Sequence, residues 1–145
     1  MKVVKNFEEF LEEGTVKKIT PDKQRAKSLI LEAERKLKLL EKNITKIGLD
    51  DENANDYIEY CYNILIFVVR GKMLLQGYAS AGQGAHEAEI VFTKKIGFKA
   101  SEVEFFDQLR YFRNGILYYG KRFDAEYATK TITFTKQTYE KLKKI

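Results

Sequence analysis

The chain has one cysteine, one histidine, one proline and no tryptophan among its 145 residues. Each scarcity removes a class of function. The lone cysteine, Cys61, leaves no intrachain disulfide and no cysteine-based metal centre. The lone histidine, His86, excludes a multi-histidine zinc site within one chain and is the only residue that a Ser-His-Asp triad could use. No metal site is expected. Long apolar runs are also missing: the longest, Ile64 to Val69, is far short of the roughly 20 residues a membrane span needs. Met1 to Phe10 carries both charges and lacks the apolar core of a secretory signal. A soluble, cytoplasmic protein is expected, with no membrane partner.

What is present describes a single folded domain over residues 1–145. Hydrophobic residues make up 44% and charged residues 32%, the balance of a globular protein large enough to bury a core. Lysine outnumbers arginine 20 to 6 and glutamate is abundant, a composition that leans towards a thermophile. The net charge of +5 is unevenly spread. Residues 1–89 hold 14 basic and 15 acidic side chains, whereas residues 90–145 hold 12 basic and 6 acidic ones. All of the positive excess thus lies in the C-terminal part. It fits a polyanionic partner, or a lysine-rich face that only solvates the fold.

Hydrophobic spacing predicts helices almost throughout. Phe7, Phe10 and Leu11 predict a short N-terminal helix closed by Gly14. Thr20 as N-cap and Pro21 at the first helical position open a long amphipathic helix to about Lys46, ended by Gly48. A second long helix, from about Ala54 to Tyr78, is apolar nearly all round, which implies a central helix, a dimer contact, or both. The small-residue stretch Ala79 to Gly84 reads as a loop, followed by a helix over Ala85 to Lys95 that breaks at Gly97. Ser101 predicts the N-cap of a fourth major helix, which Gly120 terminates after Tyr119. A last helix covers Asp124 to Lys143; the alternating stretch Thr131 to Thr135 is too short to make it a strand. The expected fold is all-α: an up-and-down bundle of four to five main helices plus the short N-terminal one.

The fourth major helix carries the most chemistry. At helical spacing Phe105, Leu109, Phe112 and Ile116 share one face, the expected core stripe. Asp107, Arg110, Arg113, Asn114 and Tyr118 gather on the other side within an arc of about 140°, with Phe106 and Leu117 among them. Polar groups interleaved with large apolar ones suit a cleft or an interface better than a solvent face. Asp107 and Arg110 also have the spacing of a simple intrahelical ion pair.

The segment Phe105 to Asn114, followed by Gly115 to Gly120, resembles the motif helix of the HEPN superfamily. The stretch from Gly77 and Tyr78 through Gly82, Gly84, Ala85, His86, Glu87 and Ile90 is similar to the loop and helix start of archaeal-type members. With the two long helices, the likeness extends from about Pro21 to Tyr119. It implies a small helical bundle that pairs as a homodimer. It also implies a minimal nucleotidyltransferase partner, as in toxin–antitoxin pairs, or metal-independent ribonuclease activity. In active members an arginine and a histidine of an Arg-Asn-x-x-x-His-x-Tyr pattern act on the RNA phosphate across the dimer cleft. Here Arg113 and Asn114 match the first two positions, Tyr118 replaces the histidine, and Tyr119 lies beside the aromatic position. A tyrosine with a pKa of about 10 is a poor general base at neutral pH, so nuclease chemistry is expected to be lost. If it survives, Arg113 and Tyr118 would carry it.

His86 offers an imidazole from another helix. Its place after Gly82 and Gly84, at a helix N-terminus, suits an anion, although ring nitrogens satisfied by the loop are the plainer expectation. The Gly-Lys-Ser ending of a phosphate-binding P-loop is missing, and no cofactor is expected. The sequence thus favours a noncatalytic, HEPN-like dimeric module for RNA, a nucleotide or a nucleotidyltransferase. Its candidate contacts are Arg110, Arg113, Asn114, Tyr118, Tyr119 and His86. The alternatives are a weak metal-independent ribonuclease of the toxin type and a structural helical subunit of a larger complex.

Overall fold

A computed structural model describes residues 5–144. Residues 1–4, part of the segment read above for a secretory signal, and residue 145 lie outside the described residues. The elements run α1 (Phe7–Glu13), β1 (Val16–Lys18), α2 (Lys23–Ile47), α3 (Ala54–Leu75), β2 (Tyr78–Ser80), α4 (Ala85–Lys95), α5 (Ala100–Tyr119) and α6 (Ala125–Lys143). The fold is an all-α helical bundle with one small sheet. Among the described residues no helix is long and apolar enough to cross a membrane.

α3 is the centre of the bundle. It packs against α2, α6, α4 and α5, so its all-round apolar surface, including fully buried Ile58, Ile64, Leu65 and Val69, is consumed within the chain. Of the two roles its composition allowed, the central one accounts for the apolar surface. α2 approaches it along Ala26, Ala33 and Leu40, which recur at seven-residue steps and are fully buried. The approach is closest at Gly71, where an added Cβ would lie 2.6 Å from Ile30 Cγ1 and 3.2 Å from the Ala26 carbonyl oxygen.

Several element ends differ from expectation, each for a local reason. α2 starts after Asp22 rather than Thr20, because the Asp22 carboxylate accepts the Arg25 N–H at 3.1 Å and is the better cap. α5 starts at Ala100 rather than after Ser101, with the Glu102 carboxylate reaching back to the Lys99 N–H at 2.8 Å. The second long helix stops at Leu75, and Tyr78–Ser80, read as helix end and loop, is a strand. It pairs antiparallel with Val16–Lys18, Val16 opposite Ser80 and Lys18 opposite Tyr78. Three residues per strand are too few to show the two-residue alternation that marks a strand in sequence. The ladder is extended by Ile19 N–H to the Gly77 carbonyl and by Ala81 N–H to the Thr15 carbonyl. It holds the segment before α4 in place.

The α5–α6 connection is fastened to the start of α3. Asn55 Nδ2 donates to the Lys121 carbonyl at 2.7 Å while its Oδ1 accepts from the Phe123 N–H at 2.9 Å. Asp51 accepts the Ala125 N–H at 2.8 Å, and Arg122 donates to the carbonyls of Asp51 and Glu52.

The α2–α3 approach gives a stability test. Gly71→Ala should cost about 1–3 kcal/mol by overpacking, read as a lower urea midpoint. Ile30→Ala combined with it should cost less than the sum of the two single changes, because it removes the overlapped side chain.

Candidate functional site

The site is built around a carboxylate in the core. Glu89 of α4 is only 2% exposed, and a buried carboxylate without partners costs several kcal/mol (~3–5 when its partner is removed). Its Oε2 accepts from Arg70 Nε of α3 at 2.6 Å and from the Ser80 hydroxyl of β2 at 2.9 Å. The small sheet therefore supplies one of the two hydrogen bonds to this charge. Among the described residues Oε1 has no hydrogen-bond partner, and His86 Nδ1, one turn earlier on α4, lies 3.5 Å from it.

His86 Nδ1 lies 3.1 Å from the hydroxyl of Tyr62, a buried residue of α3. Burial and the neighbouring Glu89 push the Tyr62 hydroxyl well above the usual tyrosine range, so it keeps its proton. Hydroxyl and ring nitrogen share one hydrogen bond, whose donor is set by the imidazole tautomer. Desolvation, with the charges of Arg70, Arg113 and Arg110, holds the His86 pKa below its ordinary value, opposed by Glu89. The histidine is not satisfied by the loop before it, as the plainer expectation had it. Its partner is a tyrosine of the central helix.

α5 turns its polar arc inward, which corrects the expected core stripe. Phe106 is fully buried, Asp107 is 4% exposed, and Arg110 Nε donates to Asp107 Oδ1 at 2.9 Å. The ion pair expected from the spacing is present, and pairing is what allows an aspartate to be buried. Of the expected stripe only Leu109 is fully buried. Phe105 and Phe112 are half-buried and pack sideways, Phe105 on Phe134 and Phe112 on Phe123, with centroids 4.4 and 4.7 Å apart.

Arg113 completes the cluster. Its guanidinium carbon sits 5.2 Å from the centroid of the Tyr62 ring, and that ring lies 6.0 Å from His86 and 5.9 Å from Phe106. Arg113 Nε is buried without a hydrogen-bond partner. Among the described residues no carboxylate pairs with Arg113: Asp107 is engaged by Arg110 and Glu89 by Arg70. An open cleft of about 370 Å³ adjoins the cluster on the His86 side, lined among others by Arg25, Arg70, Ser80, His86 and Glu89.

Of the sequence-predicted residues, the structure gathers His86, Arg110 and Arg113 around Tyr62 and Glu89. It separates Asn114 and Tyr119, which line a different groove of about 660 Å³. Tyr118, at the histidine position of the motif, is 72% exposed and forms no hydrogen bond or ring contact among the described residues. The sequence reading missed Tyr62, Arg70, Ser80 and Glu89. Arg70 had a usable signal: a charge inside a helix apolar on every side requires a buried partner. Among the described residues no group of three or more His, Cys, Asp or Glu side chains is placed to hold a metal ion.

Chemically the cluster has three guanidinium groups, two buried carboxylates and a neutral imidazole. That is an arrangement for receiving an anion. No family model, no curated protein and no solved structure matches the chain.

The imidazole reports on the cluster. In a proton-resolved NMR titration His86 should titrate below 6.5, and Arg113→Ala should move it upward by removing a nearby positive charge. The sign for stability follows. The unfolded chain takes up the proton first, so this histidine's contribution is full above 6.5 and is lost as pH falls towards the folded-state value.

Proposed function

We propose that this protein is a noncatalytic, dimeric module that binds RNA or a nucleotide through a phosphate, in keeping with its resemblance to HEPN proteins. The observation that carries the reading is Arg113: a guanidinium on the face of Tyr62, with a buried unpartnered Nε and no carboxylate of its own. An unpartnered buried N–H costs stability, and a half-buried guanidinium with no carboxylate of its own among the described residues can hold a phosphate oxygen. Arg110, Arg70 and His86 add to the local positive potential. The positive excess of residues 90–145 draws a polyanion to the same half of the chain.

Loss of catalysis fits the exposure of Tyr118, which no neighbouring group activates. Most of the surface of α3 is covered within the chain, which leaves little of it for a dimer contact. The solvent-exposed Leu117 and Tyr118 at the end of α5 offer a pairing surface instead, and a two-fold axis there would bring two motif helices together. A nucleotidyltransferase is the protein partner this reading allows.

One observation favours the alternative, a metal-independent ribonuclease. His86, not Tyr118, shares the cluster with Arg113, and a neutral imidazole can take a 2′-hydroxyl proton while the arginine holds the phosphate. In that version His86→Ala abolishes cleavage and Tyr118→Phe leaves it intact.

RNA titrations at low and moderate salt test the main reading. Affinity should fall steeply with salt, and Arg113→Ala should weaken binding roughly tenfold or more, the value of a charge-assisted hydrogen bond. Absence of binding at low salt, or binding indifferent to salt, overturns it. Metal-free cleavage that disappears in Arg113→Ala replaces it with the ribonuclease.

A further inference from the structure

The groove of about 660 Å³ at the end of α5 has a composition of its own. Phe112 and Phe123 form an aromatic floor, with ring centroids 4.7 Å apart. Tyr111 and Tyr119 stand at its edge, 64% and 80% exposed, and no ring packs on Tyr119. Asn114 lines this groove half-buried, and its side-chain amide has no hydrogen-bond partner among the described residues. The stem of Lys121 lies along Gly115, where an added Cβ would touch it at 3.6 Å, and among the described residues its ammonium is paired with no carboxylate. No acidic side chain lines the groove.

The wall that carries Lys121 and Phe123 is also rigid. Asn55 holds the carbonyl of the first and the N–H of the second, and Asp51 holds the N–H of Ala125. A preorganised wall spares a ligand the cost of ordering it. The parts correspond to the parts of a nucleotide: an aromatic surface for the face of a base, an unengaged amide for its edge, and a cation for the phosphate.

We infer that this groove is a nucleobase site, and that the nucleic acid this protein takes is therefore single-stranded. The inference rests on the nucleic-acid reading above and narrows it. In a duplex the base faces are covered by their neighbours, so only an unpaired base can stack here. A second copy of the chain fits less well, because a two-fold contact through this groove would bring together Lys121 and Arg122 of both copies with no acid in the groove to offset them.

Binding of a short unpaired RNA and of a hairpin of equal length, each followed by fluorescence anisotropy, tests it, with sedimentation of the free protein alongside. The unpaired RNA should bind more tightly. Tyr119→Ala should weaken it roughly tenfold, the usual loss of one stacked base, while hairpin binding is unchanged. Both variants concern exposed side chains, and Tyr111→Ala should act in the same direction. If Arg113→Ala weakens binding but neither tyrosine variant does, the base site is overturned and the phosphate reading stands. If the unmodified protein binds neither RNA, both fall. If Tyr119→Ala weakens binding by converting dimers to monomers, the groove belongs to a second copy and the inference is overturned.

Discussion

Burying the Glu89 carboxylate is the constraint from which the site's arrangement follows. The charge sits among apolar side chains of the central helix and must be met where it lies. Meeting it requires Arg70 from the helix alongside and Ser80 from a strand that exists only because it pairs with the strand after the first helix. Fixing these groups fixes the start of α4, and with it His86 against Tyr62. Three elements, α3, β2 and α4, thus meet at one carboxylate, and the imidazole is placed as a by-product of neutralising the acid.

α5 serves two sides of the molecule at once. Its inward arc brings Phe106, Asp107, Arg110 and Arg113 to the charged cluster, and its flank and final turn bring Phe112, Asn114 and Tyr119 to the aromatic groove. A segment read in sequence as one crowded motif is therefore divided by the helix into a cationic part and an aromatic part. The motif spacing describes neighbours along the chain, whereas the helix sorts them by face.

Helix existence was legible because the apolar spacing is long and regular, and the terminating glycines at 14, 48 and 120 stand where the structure ends its helices. The small sheet was not legible, since its partners are three residues long and separated by the whole of α2 and α3. The orientation of α5 was misread for a different reason. Ranking residues by hydrophobicity sends Asp107 outward, but an aspartate whose charge is cancelled three residues later can lie inside. Arg110, Arg113 and His86 were singled out by helical spacing, by the motif resemblance and by a helix start, and they lie together in the fold. Tyr62 and Glu89 were hidden inside helices whose apolar character masked them, and only the fold places them beside the arginines.

The pairing of Arg70 with Glu89 has an evolutionary consequence. Losing Arg70 alone strands the Glu89 charge in the core, so Arg70 is held as long as Glu89 stays an acid. Their persistence among descendants of this chain would reflect folding and would say little about use. Arg113 is bound by no such contract: it pairs with no acid, and its loss would remove a buried, unpartnered group rather than create one. What folding asks of it is the contact with the Tyr62 ring, worth about 0.5–2 kcal/mol. An arginine kept at this position therefore answers to a weaker folding demand than the Arg70–Glu89 pair does.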